Sequence, residues 1–110
     1  MIRAIEKSLK LWRGIEAGTI DKRHGLDPGA LCEIAEEDCE GCPLEENGFG
    51  CDSQDSNWWN YRYLYSNHLH EFYYVGKRPT EKQFEKRFQF HVKLMIRHLE
   101  ICLEKEESNE

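Results

Sequence analysis

Four of the chain's five cysteines fall in one stretch, Cys32 to Cys51, with the spacing C-x6-C-x2-C-x8-C. Thiols crowded this way bind a metal, pair as disulfides or carry redox chemistry. The C-x2-C pair, Cys39 and Cys42, brings two sulfurs to one tetrahedral ion from a single turn. Gly41 relaxes the backbone inside that pair, and Pro43 stiffens the exit from it. Cys32 and Cys51 complete a shell of four thiolates. Four sulfurs with no open position describe a structural site, zinc first. An iron–sulfur cluster takes the same four ligands and is one alternative. Two disulfides with no metal are the other, since four cysteines allow three pairings. A reactive thiolate is disfavoured, because Glu36, Glu37, Asp38, Glu40, Glu45 and Glu46 surround the pair and negative charge raises a thiol pKa.

The first half of the chain resembles small phage and prophage proteins of unassigned function. Their pattern is C-x-L-C, a spacer, C-x-G-C-P followed by Leu or Val, then G-x-C, after an opening helix that contains a Trp. The matching pieces here are Leu9–Trp12, Gly29-Ala30-Leu31-Cys32, Cys39-Glu40-Gly41-Cys42-Pro43-Leu44 and Gly50-Cys51. Gly29 stands where the pattern has its first cysteine. The resemblance implies a small mobile-element protein and no particular reaction.

At 110 residues the chain is read as one domain, 1–110. Its formal net charge of −6 argues against nucleic-acid binding by the whole surface. No stretch approaches the ~18 apolar residues of a membrane span. The opening ten residues, M-I-R-A-I-E-K-S-L-K, lack the apolar core of a secretory leader. A cytoplasmic protein with no membrane partner is expected, in the host cytoplasm if the source is viral.

Periodicity predicts an all-α fold of three main helices, at about 2–17, 56–75 and 81–105, with a short one at about 28–36 and the cysteine-rich loop 32–51. In the first, Ile2, Ile5, Leu9 and Trp12 recur at threes and fours, and Gly18 or Gly14 ends it. Residues 19–27 read as a polar loop. Asp27-Pro28 opens the short helix, with Asp as cap and Pro at the first helical position. Residues 55–75 hold 8 of the 13 aromatics. As a strand, Trp59, Tyr61, Tyr63 and Tyr65 alternate with other residues. As a helix, Trp58, Tyr61, Tyr65, His68 and Phe72 share one face. The length of the run favours helix.

Gly76 to Pro79 breaks the chain. Thr80 and Gln83 then form a capping box. In the last helix, Phe84, Phe88, His91, Met95, Leu99 and Cys102 line one face. Cys102 reads there as a small buried hydrophobe rather than a fifth ligand. Lys82, Lys86, Gln89, Lys93 and Arg97 form a basic stripe on the other face. A helix of this length packs along a whole bundle or a dimer partner, so a homodimer through it is one use of that length. An acidic, frayed tail is expected over 104–110.

No P-loop, G-x-S-x-G, G-x-G-x-x-G or H-E-x-x-H occurs, and no enzymatic activity is expected. The chain reads as a small interaction or regulatory protein on a metal-stapled scaffold. A protein partner is expected at the aromatic segment, through Trp58, Trp59, Tyr63 and Tyr74. The second reading is nucleic-acid binding, with Lys82, Lys86, Lys93 and Arg97 on phosphates and aromatics stacking on bases. The third is a redox protein carrying an iron–sulfur cluster or disulfides.

Overall fold

The computed structural model of the chain describes residues 2–26, 42–49, 57–69 and 80–108. In these the fold is all-α with no strand. Helix α1 spans Ile2–Ala17, α2 is the single turn Pro43–Glu46, α3 spans Asn57–Leu69 and α4 spans Glu81–Ser108. A 3-10 turn, Lys22–Leu26, lies between α1 and α2. The expected helix at 28–36 and the 70–75 end of the aromatic helix lie outside the described residues.

Helix α1 forms because its apolar residues make one stripe. Ile5, Leu9, Trp12 and Ile15 are buried along it. The chain leaves the helix at Gly18, whose φ of +81° is the left-handed conformation that side chains resist. Gly18 N–H donates to the Ile15 carbonyl at 3.2 Å and Thr19 N–H to the Gly14 carbonyl at 2.9 Å, which satisfies two end carbonyls.

The 3-10 turn replaces part of the loop expected at 19–27. Asp21 starts it: its Oδ1 accepts from Arg23 N–H at 2.9 Å and its carbonyl from His24 N–H at 3.1 Å. Long-range bonds then hold it. Tyr61 Oη donates to the Lys22 carbonyl at 2.7 Å, and Trp58 Nε1 donates to the Gly25 carbonyl at 2.8 Å. A side chain at Gly25 would put its Cβ 2.8 Å from Tyr61 and 2.9 Å from Trp12, so only glycine lets the backbone come this close.

Helix α4 carries the core. Phe84, Phe88, Val92, Met95, Ile96, Leu99 and Cys102 are buried along it. The capping box at its start is closed on both sides. Gln83 N–H donates to Thr80 Oγ1 at 3.2 Å, and Thr80 N–H donates to Gln83 Oε1 at 2.8 Å. At the other end the helix runs through Ser108, past the 105 expected, so residues 104–108 are helical rather than frayed. Ser108 Oγ donates to the Glu104 carbonyl at 2.9 Å, and Lys105 sits in the last turn, where positive charge suits the helix dipole.

Helix α3 lies along the first half of α4 in the opposite direction. Asn57 meets His91, and one turn later Tyr61 meets Phe88. Tyr61 is fully buried between Trp12 and Phe88, edge-on to each at ring-centre distances of 5.0 and 5.8 Å. Trp12 is thus a core residue, as its stripe predicts.

Candidate functional site

The second half of the cysteine loop docks on the C-terminal half of α4. Leu44 and Cys42 are buried in the same cluster as Leu99 and Cys102. Glu46 N–H donates to the Cys42 carbonyl at 3.0 Å, and Phe49 N–H returns to the Leu44 carbonyl at 2.6 Å. Beyond that turn the Phe49 ring stacks flat on His98, 3.9 Å away. Asn47 Nδ2 donates to Cys102 Sγ at 3.5 Å. Burial, with the Cys42 thiol nearby, pushes the Cys102 thiol up to about 11, against a smaller opposing effect of the Asn47 hydrogen bond. Cys102 is therefore a protonated thiol at neutral pH. It lies in the buried stripe, as its periodicity predicts.

Of the four expected metal ligands, Cys42 is described, and Cys32, Cys39 and Cys51 lie outside the described residues. Among the described residues no three His, Cys, Asp or Glu side chains come together around a common centre.

The aromatic helix divides by face. Tyr61 is buried, and Trp58, Leu64 and Tyr65 pack against the core. Trp58 is a tie between elements: its indole N–H is bonded to Gly25, and the Arg62 guanidinium lies over its ring at 5.1 Å. Tyr63 points away and is 63% exposed. Tyr74 and the side chain of Trp59 lie outside the described residues.

The basic stripe of α4 is exposed. Lys82, Lys86, Lys93 and Arg97 all face solvent, and Arg97 Nη1 lies 4.0 Å from Glu104 Oε1. Beside them is a residue that charge alone does not reveal. Phe90 is 63% exposed, with its ring edge-on to His91 at 5.2 Å, and on the helix its position neighbours Lys86, Lys93 and Arg97. A helical wheel carries the signal: at 100° per residue, position 90 falls beside the stripe and opposite Phe88 and Leu99.

At the α3–α4 seam a buried amide sorts out a histidine. Asn57 is 7% exposed, and its Nδ2 donates to the His91 carbonyl at 2.7 Å. That bond orients the amide, so Oδ1 faces the ring, 2.8 Å from His91 Nδ1. An amide oxygen only accepts, so Nδ1 carries the proton and Nε2 the lone pair. Burial holds the His91 ring below its ordinary pKa, and His98 likewise.

An open cleft of about 500 Å³ lies between the end of α1, the 3-10 turn and the start of α4. Ile20, Phe84 and Phe88 line its apolar side, and Glu16, Asp21 and Glu85 its acidic side. Lys22 Nζ sits 2.6 Å from Glu85 Oε2 and holds that carboxyl below the usual range. Glu85 is thus ionised at neutral pH and unsuited to general-acid work.

Among the described residues no helix is long and apolar enough to cross a membrane. No known family model matches the chain, and no curated protein or solved structure matches it.

Proposed function

We propose that this chain is a non-enzymatic interaction module that offers the outward face of α4 to a protein partner. The observation that carries this is Phe90, 63% exposed at a position flanked on the helix by Lys86, Lys93 and Arg97. An aromatic ring in water is a ready anchor once a partner covers it. The surrounding cations steer an acidic partner toward it and select its orientation. The aromatic segment supplies less of this surface than its composition promises, since Trp58, Tyr61 and Tyr65 are absorbed by the core. Tyr63 remains available on α3. The resemblance to phage and prophage proteins supports a mobile-element protein.

The test is a photo-cross-linker at position 90. Specific protein adducts are expected, and Lys86→Glu with Lys93→Glu should remove them. A cross-linker that captures no protein above background would overturn the proposal.

The same arrangement favours a second reading, single-stranded nucleic acid, because Phe90 can stack on a base while Lys86, Lys93 and Arg97 meet phosphates. Fluorescence anisotropy with a labelled oligonucleotide separates the two. Binding that weakens linearly in log–log terms with salt supports nucleic acid, and no binding at low salt removes it.

For the cysteine loop we propose a zinc staple on Cys32, Cys39, Cys42 and Cys51. The burial of Cys42 and the docking of residues 42–49 on α4 support a role in holding the loop. Bound there, the ion would contribute folding energy rather than reactivity. Metal analysis on anaerobically purified protein decides between one equivalent of zinc, iron with sulfide, and two disulfides with no metal.

A further inference from the structure

We infer that the partner of this face is a second copy of the chain, lying antiparallel along α4, an inference that rests on the docking surface proposed above. Residues 86, 93, 100 and 107 recur every seven positions and so line one edge of the helix. They are Lys86, Lys93, Glu100 and Glu107: two cations, then two carboxylates. Beside them runs a second line spaced by threes and fours, Arg87, Phe90, Leu94, Arg97, Ile101 and Glu104. Phe90 is 63% exposed. Leu94 and Ile101 are half-buried, and among the described residues neither is part of the core cluster or of the partly buried apolar residues packed against it.

A two-fold axis across the helix reverses the order of the second copy. Lys93 then meets Glu100 of the other copy, and Lys86 meets its Glu107. Each pair forms twice. In the seam, Phe90 faces Ile101, Leu94 faces the aliphatic stem of Arg97, and Arg87 faces Glu104. One register satisfies both lines at once. A parallel copy would instead bring cations level with cations and carboxylates level with carboxylates. The span from 86 to 107 is about 32 Å at the α-helical rise.

Lys86, Arg87, Phe90, Lys93, Arg97, Glu104 and Glu107 are exposed in the single chain. No ion pair engages Lys86, Lys93 or Glu107 among the described residues. Glu100 lies 3.6 Å from Arg13, and Glu104 lies 4.0 Å from Arg97. These two pairs are solvent-exposed, and such pairs contribute little and exchange readily.

The experiment is light scattering on the purified full chain across a concentration series at low salt. The mass should rise from 13.1 kDa toward twice that value. An acidic variant, Lys86→Glu with Lys93→Glu, carries four carboxylates on the edge and should stay at the single-chain mass. A basic variant, Glu100→Lys with Glu107→Lys, carries four cations and should do the same. Mixed in equal amounts, the two are complementary and should recover the doubled mass. Circular dichroism on each variant reports whether the fold is kept. If one misfolds, Phe90→Ser supplies a second route to the single-chain mass. A wild type that stays at 13.1 kDa throughout, variants that associate as well as the wild type, or a mixture that stays single would each overturn the inference. If the wild type stays single while a cross-linker at position 90 captures a different protein, the docking surface stands and self-association fails. If it captures nothing, both fall.

Discussion

The two halves of α4 are packed by different chemistry. The first half is aromatic: Phe88 meets Tyr61, Tyr65 and Phe84, and Trp12 closes on Tyr61. Several of its polar atoms make directed long-range hydrogen bonds. Tyr61 Oη and Trp58 Nε1 reach backbone carbonyls, and Asn57 brackets His91. The second half is aliphatic and sulfur-bearing: Met95, Ile96, Leu99 and Cys102 share a cluster with Leu44 and Cys42. Aromatic rings with directed hydrogen bonds tolerate one arrangement, because a shifted ring strands a buried donor. Aliphatic and thioether side chains repack with less loss. The first half should therefore set the geometry of the fold, and the second should supply burial.

The largest effect that tests this contrast is Phe88→Ala. Phe88 is 2% exposed and in ring contact with Tyr61, Tyr65 and Phe84. Its loss should cost about 3–5 kcal/mol in a denaturant titration. Met95→Leu in the other half conserves volume and should cost less than about 1.5 kcal/mol. Equal costs would erase the distinction.

The next effect is at the seam. Asn57→Ala strips His91 of its Oδ1 acceptor and its carbonyl of a donor, both partly buried, and should cost about 1–3 kcal/mol. The same histidine sets a pH dependence. Burial holds the folded ring below its ordinary value of 6.5, so the unfolded chain binds the proton more readily. Its contribution is fully present above about pH 6.5 and is lost as pH falls through the lowered folded value. His98, in the other half, is shifted the same way by burial, beneath the Phe49 ring. His91→Gln and His98→Gln should each flatten the stability–pH curve below about pH 6.5. A curve unchanged by both would show that neither ring is buried in solution.

Where the sequence could be read, the informative residues acted locally. Helix α1 announces itself through Ile5, Leu9 and Trp12, and its end through Gly18. The Thr80–Gln83 box marks the first turn of α4, and both of its hydrogen bonds are made. The aromatic run was harder, since α3 carries rings on nearly every face and its stripe is faint. Length alone pointed to helix. What stayed hidden depends on distant partners. The 3-10 turn at Lys22–Leu26 is held by Tyr61 and Trp58, 39 and 33 residues away. Asn57 reads as one more polar residue near a helix start, and only His91, 34 residues on, makes it a buried bracket. Of the candidate site, the exposure of Lys82, Lys86, Lys93 and Arg97 was legible from the wheel. Phe90 is harder to read, because an apolar residue on a charged face looks like an exception to the pattern until its exposure is known.

The smallest effect probes the sulfur-bearing half. Cys102 is fully buried, and its Sγ accepts from Asn47 Nδ2 at 3.5 Å. Cys102→Ser keeps an acceptor for Asn47 but places a hydroxyl among Leu99 and Leu44, and should cost about 1 kcal/mol. Cys102→Ala removes that acceptor and the sulfur volume together. If this half works by burial alone, Ala should be tolerated at least as well as Ser, because a desolvated hydroxyl is worse than a small void. If Ser is clearly better than Ala in thermal melts, the Asn47–Cys102 hydrogen bond directs packing here as Asn57 does at the other end. The two halves would then differ in side-chain type but not in principle.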